Sequence, residues 1–405
     1  MSRRAVVADR DQGERLPLQG IRVLDLSQRL PGPYASLVLA DLGADVVKME
    51  PPAGDPLRWL APLAHSQSGA FHALNRNKRS VVVNLKAADG AAVLLRLVRS
   101  FDVLVESFRP GVLHRLGVGH GALRAENTRL VICAITGYGQ TGPYRHLAGH
   151  DINYCAISGA LSLNGPSEAP LPFGVQLADV AGGAWVAVAG ILAALHRRSA
   201  TGQGALVDVS MTEGAMGMLA MHLGMAVSRG SPLGRGQAPL AGGAACYRIY
   251  RTRDGRFVAL GALEPQFFAR FCIAAGRPEL SPRHLENDGR GPVEELEALF
   301  ATRSRDEWED LGRKHDLCLT PVLEGDEPRE DPHLKARGVF SSVPTPWEGR
   351  DIFALATPVR MDGMRSSWRA APELGADTET VLGEAGFTQR EIAALRKRKV
   401  AGVAD

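Results

Sequence analysis

Cysteine is scarce in this 405-residue chain: Cys133, Cys155, Cys246, Cys272 and Cys318 stand far apart, with no C-x-x-C pair among them. An odd and scattered set excludes a disulfide framework and a structural zinc site, and it fits a reducing compartment. Charge of one sign is also lacking. The 47 Lys and Arg nearly cancel 44 Asp and Glu, for a net +3. Bulk charge therefore gives no reason to expect nucleic acid or an anionic membrane surface as partner, and any anionic ligand must be met by a local basic cluster. The longest apolar run, Ala181 to Leu195, is broken by Gly182, Gly183 and Gly190. It is shorter than the roughly 20 residues that span a bilayer, so no membrane partner is expected. Arg3 and Arg4 lead into a charged stretch, and Gly402 to Asp405 match no targeting signal; a cytoplasmic location is the expectation. No metal-ligand spacing, internal repeat or low-complexity tract appears.

What is present is strand–helix alternation. Ile21–Leu26 predicts a strand, Tyr34–Leu42 a helix and Ala44–Glu50 a second strand, with short links. This unit builds parallel sheets. The link between the first strand and its helix has no G-x-G-x-x-G, which argues against a nicotinamide or flavin site. Further strands are predicted at 81–85, 103–106, 130–135 and 205–209, with helices at 87–100 and from Val180 to about Arg198. Composition shifts at 228–243, where Ser, Gly, Pro and Arg dominate. A hairpin turning at Asp254-Gly255 follows, then a mostly helical stretch with a polar break at 286–292. The expected organisation is a mobile tail at 1–17, a large α/β domain at 18–210, a linker at 211–243, a small domain at 244–325, and a return to the large domain over 326–405. Within that last part 325–350 reads as loop, and Thr388–Lys399 as a terminal helix.

The chemistry concentrates at Gly149-His150-Asp151-Ile152-Asn153-Tyr154, straight after a loop carrying Gly137, Gly139, Gly142 and Pro143. Asp151 reads as an early-helix residue with His150 at or just before the cap, where backbone N–H groups favour negative charge. An imidazole beside a carboxylate suits proton transfer or nucleophilic chemistry near neutrality. Asp179 is a second carboxylate at a helix start, and the glycines after it permit close approach of another segment or a ligand. Lys78, Arg79, Arg109 and Arg115 flank strands, where ligands of open α/β sheets bind, and together they suit a phosphorylated ligand.

Several segments, in order and from about residue 18 to 360, resemble the family III CoA-transferases. They are LSQRLPGPYASLVLADLGADVVKME (26–50), NRNKRS (75–80), FRPG (108–111) and TGYGQTGP (136–143). Within that family GHDINY (149–154), Ala178-Asp179 with Gly182-Gly183, LEPQFF (263–268) and CLTPV (318–322) are similar to the α-methylacyl-CoA racemase branch. The chain departs from that branch at Ala241, where an Asp is usual, and NRNKRS and ESFRPG look equally transferase-like.

The resemblance implies a Rossmann-like large domain plus a smaller α+β domain in an interlocked homodimer, acting on an acyl-CoA thioester with no separate cofactor. Racemisation next to a thioester needs one acid/base group on each face of the substrate. Carried across, His150 with Glu264 would serve one face and Asp179 the other. CoA contacts are implied at Phe108, Arg109, Arg115, Asn75, Lys78, Arg79, Tyr138 and Tyr154. The alternative is a CoA-transferase with Asp151 as nucleophile, passing through acyl-aspartyl and aspartyl-CoA intermediates.

Overall fold

Six short apolar strands run parallel: β1 (Arg22–Asp25), β2 (Asp45–Glu50), β3 (Arg79–Val82), β4 (Val103–Glu106), β5 (Val131–Thr136) and β6 (Leu206–Ser210). Their order across the sheet is β3-β2-β1-β4-β5-β6. The chain leaves β1 toward one edge, then returns to lay β4 on the other side. Ligands of open α/β sheets bind outside the carboxyl ends of the strands at such a reversal. Val103, Leu104, Val131 and Ile132 are fully buried, as strands covered on both faces require. The computed structural model describes residues 16–64, 67–286, 290–343, 352–362, 364 and 368–402. Most of the expected N-terminal tail (residues 1–15), and residues 287–289 of the polar break, lie outside them.

Helix α1 (Pro31–Asp41) opens with prolines, which are pre-set for a first turn. On the opposite face, α2 (Gly90–Leu97) shares one core with two helices near the end of the chain. Val93, Leu94 and Leu97 cluster with Val381, Leu382, Ile392 and Leu395, over Leu24 and Leu26 but not Val23. The chain end also covers the β3 edge: Asn84 N–H donates to Val400 at 2.8 Å and Gly402 N–H to Val82 at 3.1 Å. This return spares an exposed sheet edge.

Contact clustering divides the chain into two units. One comprises residues up to Tyr154, Gln176–Gly214 and everything from Lys335 on; the other comprises Cys155–Val175 and Ala215–Leu334. The second unit thus takes 155–175 and most of the expected linker 211–243. The reason is visible in its bonds: the Arg235 guanidinium donates to the carbonyls of Pro166 at 2.8 Å and Ser167 at 3.1 Å. The helix Ala220–Arg229 occupies that linker and buries none of its residues. The expected loop 325–350 holds helical turns at Glu327–Glu330 and Pro332–Ala336, and a strand Phe340–Val343 paired with Ile352–Leu355.

The second unit has its own antiparallel sheet, β7 (Tyr247–Arg251), β8 (Phe257–Gly261) and β9 (Leu319–Pro321), with β8 central and the hairpin turning at Asp254-Gly255. It packs on aromatic residues. Tyr250 and Phe300 stack at 4.4 Å, and the buried Trp308 donates its indole N–H to Phe300 O at 2.9 Å.

Candidate active site

Outside the β1/β4 reversal lies a cleft of about 530 Å³. Gln28 and Arg29 reach it from the end of β1, Ser107, Phe108 and Arg109 from the end of β4, and Thr136, Gly137 and Tyr138 from the end of β5. The remaining wall is the loop Arg145–His150 with Asn153, Tyr154 and Asp179.

The β1 end is held from below by charge. Asp25 is fully buried and accepts from the Ser27 N–H at 2.9 Å, the Ser36 hydroxyl at 2.5 Å and the Lys78 ammonium at 3.3 Å. Burial alone would raise its pKa, but Lys48, Lys78 and the serine hydroxyls hold it below the usual carboxylate range. Lys48 donates to the Ser27 carbonyl at 2.9 Å and pairs with Asp55 at 2.8 Å. At the β4 end the buried Glu106 accepts the Phe108 N–H at 2.7 Å and meets His120 at 3.0 Å.

The glycine loop is shaped by Tyr154. A Cβ on Gly137 would lie 2.3 Å from the tyrosine ring, and one on Gly149 would lie 2.7 Å from it. The Tyr154 hydroxyl donates to the Gly149 carbonyl at 2.5 Å, and the ring meets Tyr138 edge-on at 5.2 Å. Burial first, then the nearby Asp179 carboxylate, pushes the phenol up to about 12. It is a neutral positioning group at physiological pH.

Helix α3 (Asp151–Ile157) begins where the sequence predicts. His150 sits at its cap: the His150 N–H donates to the Asn153 side chain at 3.0 Å, and its carbonyl accepts from Asn153 N–H at 2.8 Å. The Asn153 side chain thus satisfies the His150 N–H, the half of a capping box that the N3 residue supplies. The imidazole is left exposed on the cleft.

Asp179 enters from a π-helical segment, Ala178–Trp185, which continues into α4 (Val186–Thr201). Such wide turns recur at functional sites. A Cβ on Gly214 would fall 2.0 Å from the Gly182 carbonyl, so the glycines after Asp179 admit a chain segment, Met211–Gly217. The Asp179 N–H donates to Asp151 Oδ1 at 2.9 Å. Burial, then the adjacent Asp151, raises the Asp179 carboxyl to about 7. The 24 residues Ala178–Thr201 are long and apolar enough to cross a membrane, which the broken apolar run did not predict; here the segment packs beside α1, β5 and β6.

The expected residues thus separate. His150, Asp179, Tyr154, Tyr138, Phe108 and Arg109 share the cleft, while the half-buried Asp151 is bonded to the Asp179 N–H and is not among the lining residues. Arg115 is exposed on the turn Val112–Arg115, away from the cleft wall. Asn75, Lys78 and Arg79, which the sequence offers for a phosphorylated ligand, are not among the residues that line the cleft. Asn75 and Lys78 are buried and bonded to one another at 2.8 Å, and Arg79 pairs with Asp45 at 2.6 Å and Glu384 at 2.8 Å. Their charges are spent inside the first unit. Glu264 stands exposed before helix α5 (Pro265–Ala274) of the second unit, which also carries α6 (Val293–Phe300) and α7 (Arg305–His315). Ala241 precedes Gly242 at φ +86° beside that unit's own cleft of about 860 Å³. Sequence reading missed Gln28, Arg29, Ser107, Arg145 and Asn153; for Gln28, Arg29 and Ser107 the available signal was their position just past the ends of β1 and β4.

An exposed imidazole and a carboxyl poised near neutrality on one cleft can exchange protons with a bound carbon acid. Comparison with known proteins identifies the family. A sequence model of CoA-transferase family III matches residues 18–378. Human α-methylacyl-CoA racemase is 38% identical over 396 residues, covering 95% of this chain and 97% of its own. The succinate–glutarate CoA-transferase of Agrobacterium fabrum is 33% identical over 397 residues, covering 92% and 97%. The crystal structure of a CAIB/BAIF family protein from Brucella suis superposes with a TM-score of 0.79 at 29% identity, covering 92% of this chain and all of that one. With a central parallel sheet, a cleft at its reversal and relatives matched over nearly their whole length, this chain belongs to the family III CoA-transferases, the enzyme family that also includes the α-methylacyl-CoA racemases.

Proposed function

We propose that the protein is a 2-methylacyl-CoA racemase that removes and returns the α-proton through a thioester enolate. The observation that carries this reading is the sharing of one cleft by His150 and by an Asp179 whose carboxyl is raised to about 7. One group takes the α-proton and the other delivers a proton to the opposite face. The transferase alternative needs the Asp151 carboxylate as nucleophile, yet one of its oxygens is engaged with the Asp179 N–H. Relatives of both activities match the chain, so the test must separate them.

The chain acts as a homodimer in this reading, the second copy bringing Glu264 to His150. The exposed Met221, Leu223 and Val227 on a helix with no buried residue support such an assembly. CoA is part of the substrate and no further cofactor takes part.

The deciding experiment is α-proton exchange in deuterated water with a 2-methylacyl-CoA and no acceptor acid. Deuterium at C2 with loss of optical purity is expected, reduced at least a hundredfold in Asp179→Ala and His150→Ala. CoA transfer to an added carboxylic acid without exchange would overturn the assignment in favour of the Asp151 transferase.

A further inference from the structure

Arg29 is an unusual residue at an unusual place. It is the second residue past Ser27 on the loop leaving β1, and its backbone is left-handed at φ +69°. Side chains with a Cβ rarely hold that conformation, and where they do they cluster at functional sites. Two bonds impose it here. The Gln28 N–H donates to the Ser107 hydroxyl at 3.1 Å, and the Arg29 N–H to Asp55 at 3.3 Å. Asp55 is itself buried and tied to Lys48. A glycine would satisfy this backbone without strain, yet the chain places a cation there.

The guanidinium is exposed on the cleft wall. Among the described residues it has no ion pair, and neither do Arg109 and Arg145, which line the same cleft. By contrast Arg58, Arg76 and Arg79 of the same unit each pair with a carboxylate. Three guanidiniums without an ion pair thus line one cavity, and the planar fork of a guanidinium can bind an oxygen anion at two points.

We infer that Arg29 is a specificity-determining residue that binds an oxyanion of the thioester substrate, either a phosphate of the CoA part or a carboxylate on the acyl chain. This rests on the acyl-CoA reading above. The test is calorimetric binding to the whole protein, which requires no turnover. The variants are Arg29→Gly and Arg29→Asn, since both residues accept left-handed φ and remove only the cation. The probes are CoA, pantetheine, butyryl-CoA and succinyl-CoA. A phosphate contact predicts a tenfold or greater loss for CoA in both variants, with pantetheine unchanged. An acyl carboxylate contact predicts unchanged CoA and butyryl-CoA binding and a tenfold loss confined to succinyl-CoA. Equal binding of every probe by the variants and the wild type overturns the inference alone. A wild-type protein that binds none of the CoA compounds removes the acyl-CoA reading and the inference together.

Discussion

Asp179 and Asp151 are two carboxylates joined through a backbone N–H, and burial followed by the neighbouring Asp151 raises the Asp179 carboxyl to about 7. Two outcomes follow from that pair. The acid limb of the exchange rate, where Asp179 takes up a proton and ceases to act as base, is expected near pH 7. Asp151→Asn keeps an oxygen for the Asp179 N–H and removes the neighbouring charge, so the limb should move down by about one pH unit; a profile of kcat/KM that stays in place contradicts the coupling. Stability carries the same information with its own sign. The folded carboxyl sits at about 7 against an ordinary 3.8, so between those values the native state holds a proton that the unfolded chain has lost. Folding is therefore penalised increasingly as pH rises through this window and uniformly above it. Urea midpoints of Asp179→Asn should match the wild type below pH 4, exceed it progressively up to pH 7, and keep a constant lead beyond. A variant that gains stability while losing exchange is the usual mark of an active-site strain.

The π-helical segment that delivers Asp179 depends on glycine contacts distant in sequence. Gly214→Ala would drive a Cβ to within 2.0 Å of the Gly182 carbonyl. Backbone must shift, at a cost of about 2 kcal/mol for overpacking, and the shift displaces Asp179. The expected result is a lower urea midpoint together with at least a tenfold fall in exchange rate; Gly217→Ala, whose Cβ meets nothing within 4 Å, should leave both nearly unchanged. The strands and α3 were legible in the sequence because each carries its own local signal: apolar runs for β1 to β6, and for α3 an Asp at an early-helix position straight after a glycine loop. The wide turn had no such signal. A run of small apolar residues reads as ordinary helix, and the i→i+5 bonding follows from what packs against it. The basic turn at 75–79 was misread for a related reason. Lys78 and Arg79 show their charge in the sequence, but Asp25, Asp45 and Glu384, which neutralise them, lie 34 to 305 residues away.

For the assembled molecule, the exposed apolar side chains of Ala220–Arg229 set the expectation. Val227 is 82% exposed and Met221 55%, and a helix that leaves its large apolar side chains uncovered is a candidate interaction site. If the proposed homodimer holds, sedimentation should report a dimer for the wild type and a monomer for the pair Met221→Glu with Val227→Glu, with loss of exchange activity, since the proposed reading has Glu264 reach His150 from the second copy. A monomeric, fully active wild type would refute the homodimer.

The amino-acid order alone was enough for the parallel α/β architecture, the cap at His150 and the family, since alternation, capping and motif order are all properties of neighbouring residues. It also named His150 and Asp179 as separate candidates. That they open on one cleft, that Asp151 accepts the Asp179 N–H, and that Arg29 keeps a left-handed backbone there were settled by folding. Each depends on burial and on partners brought together across the sheet, and the free energies of burial and charge pairing are set by distance in space rather than distance along the chain.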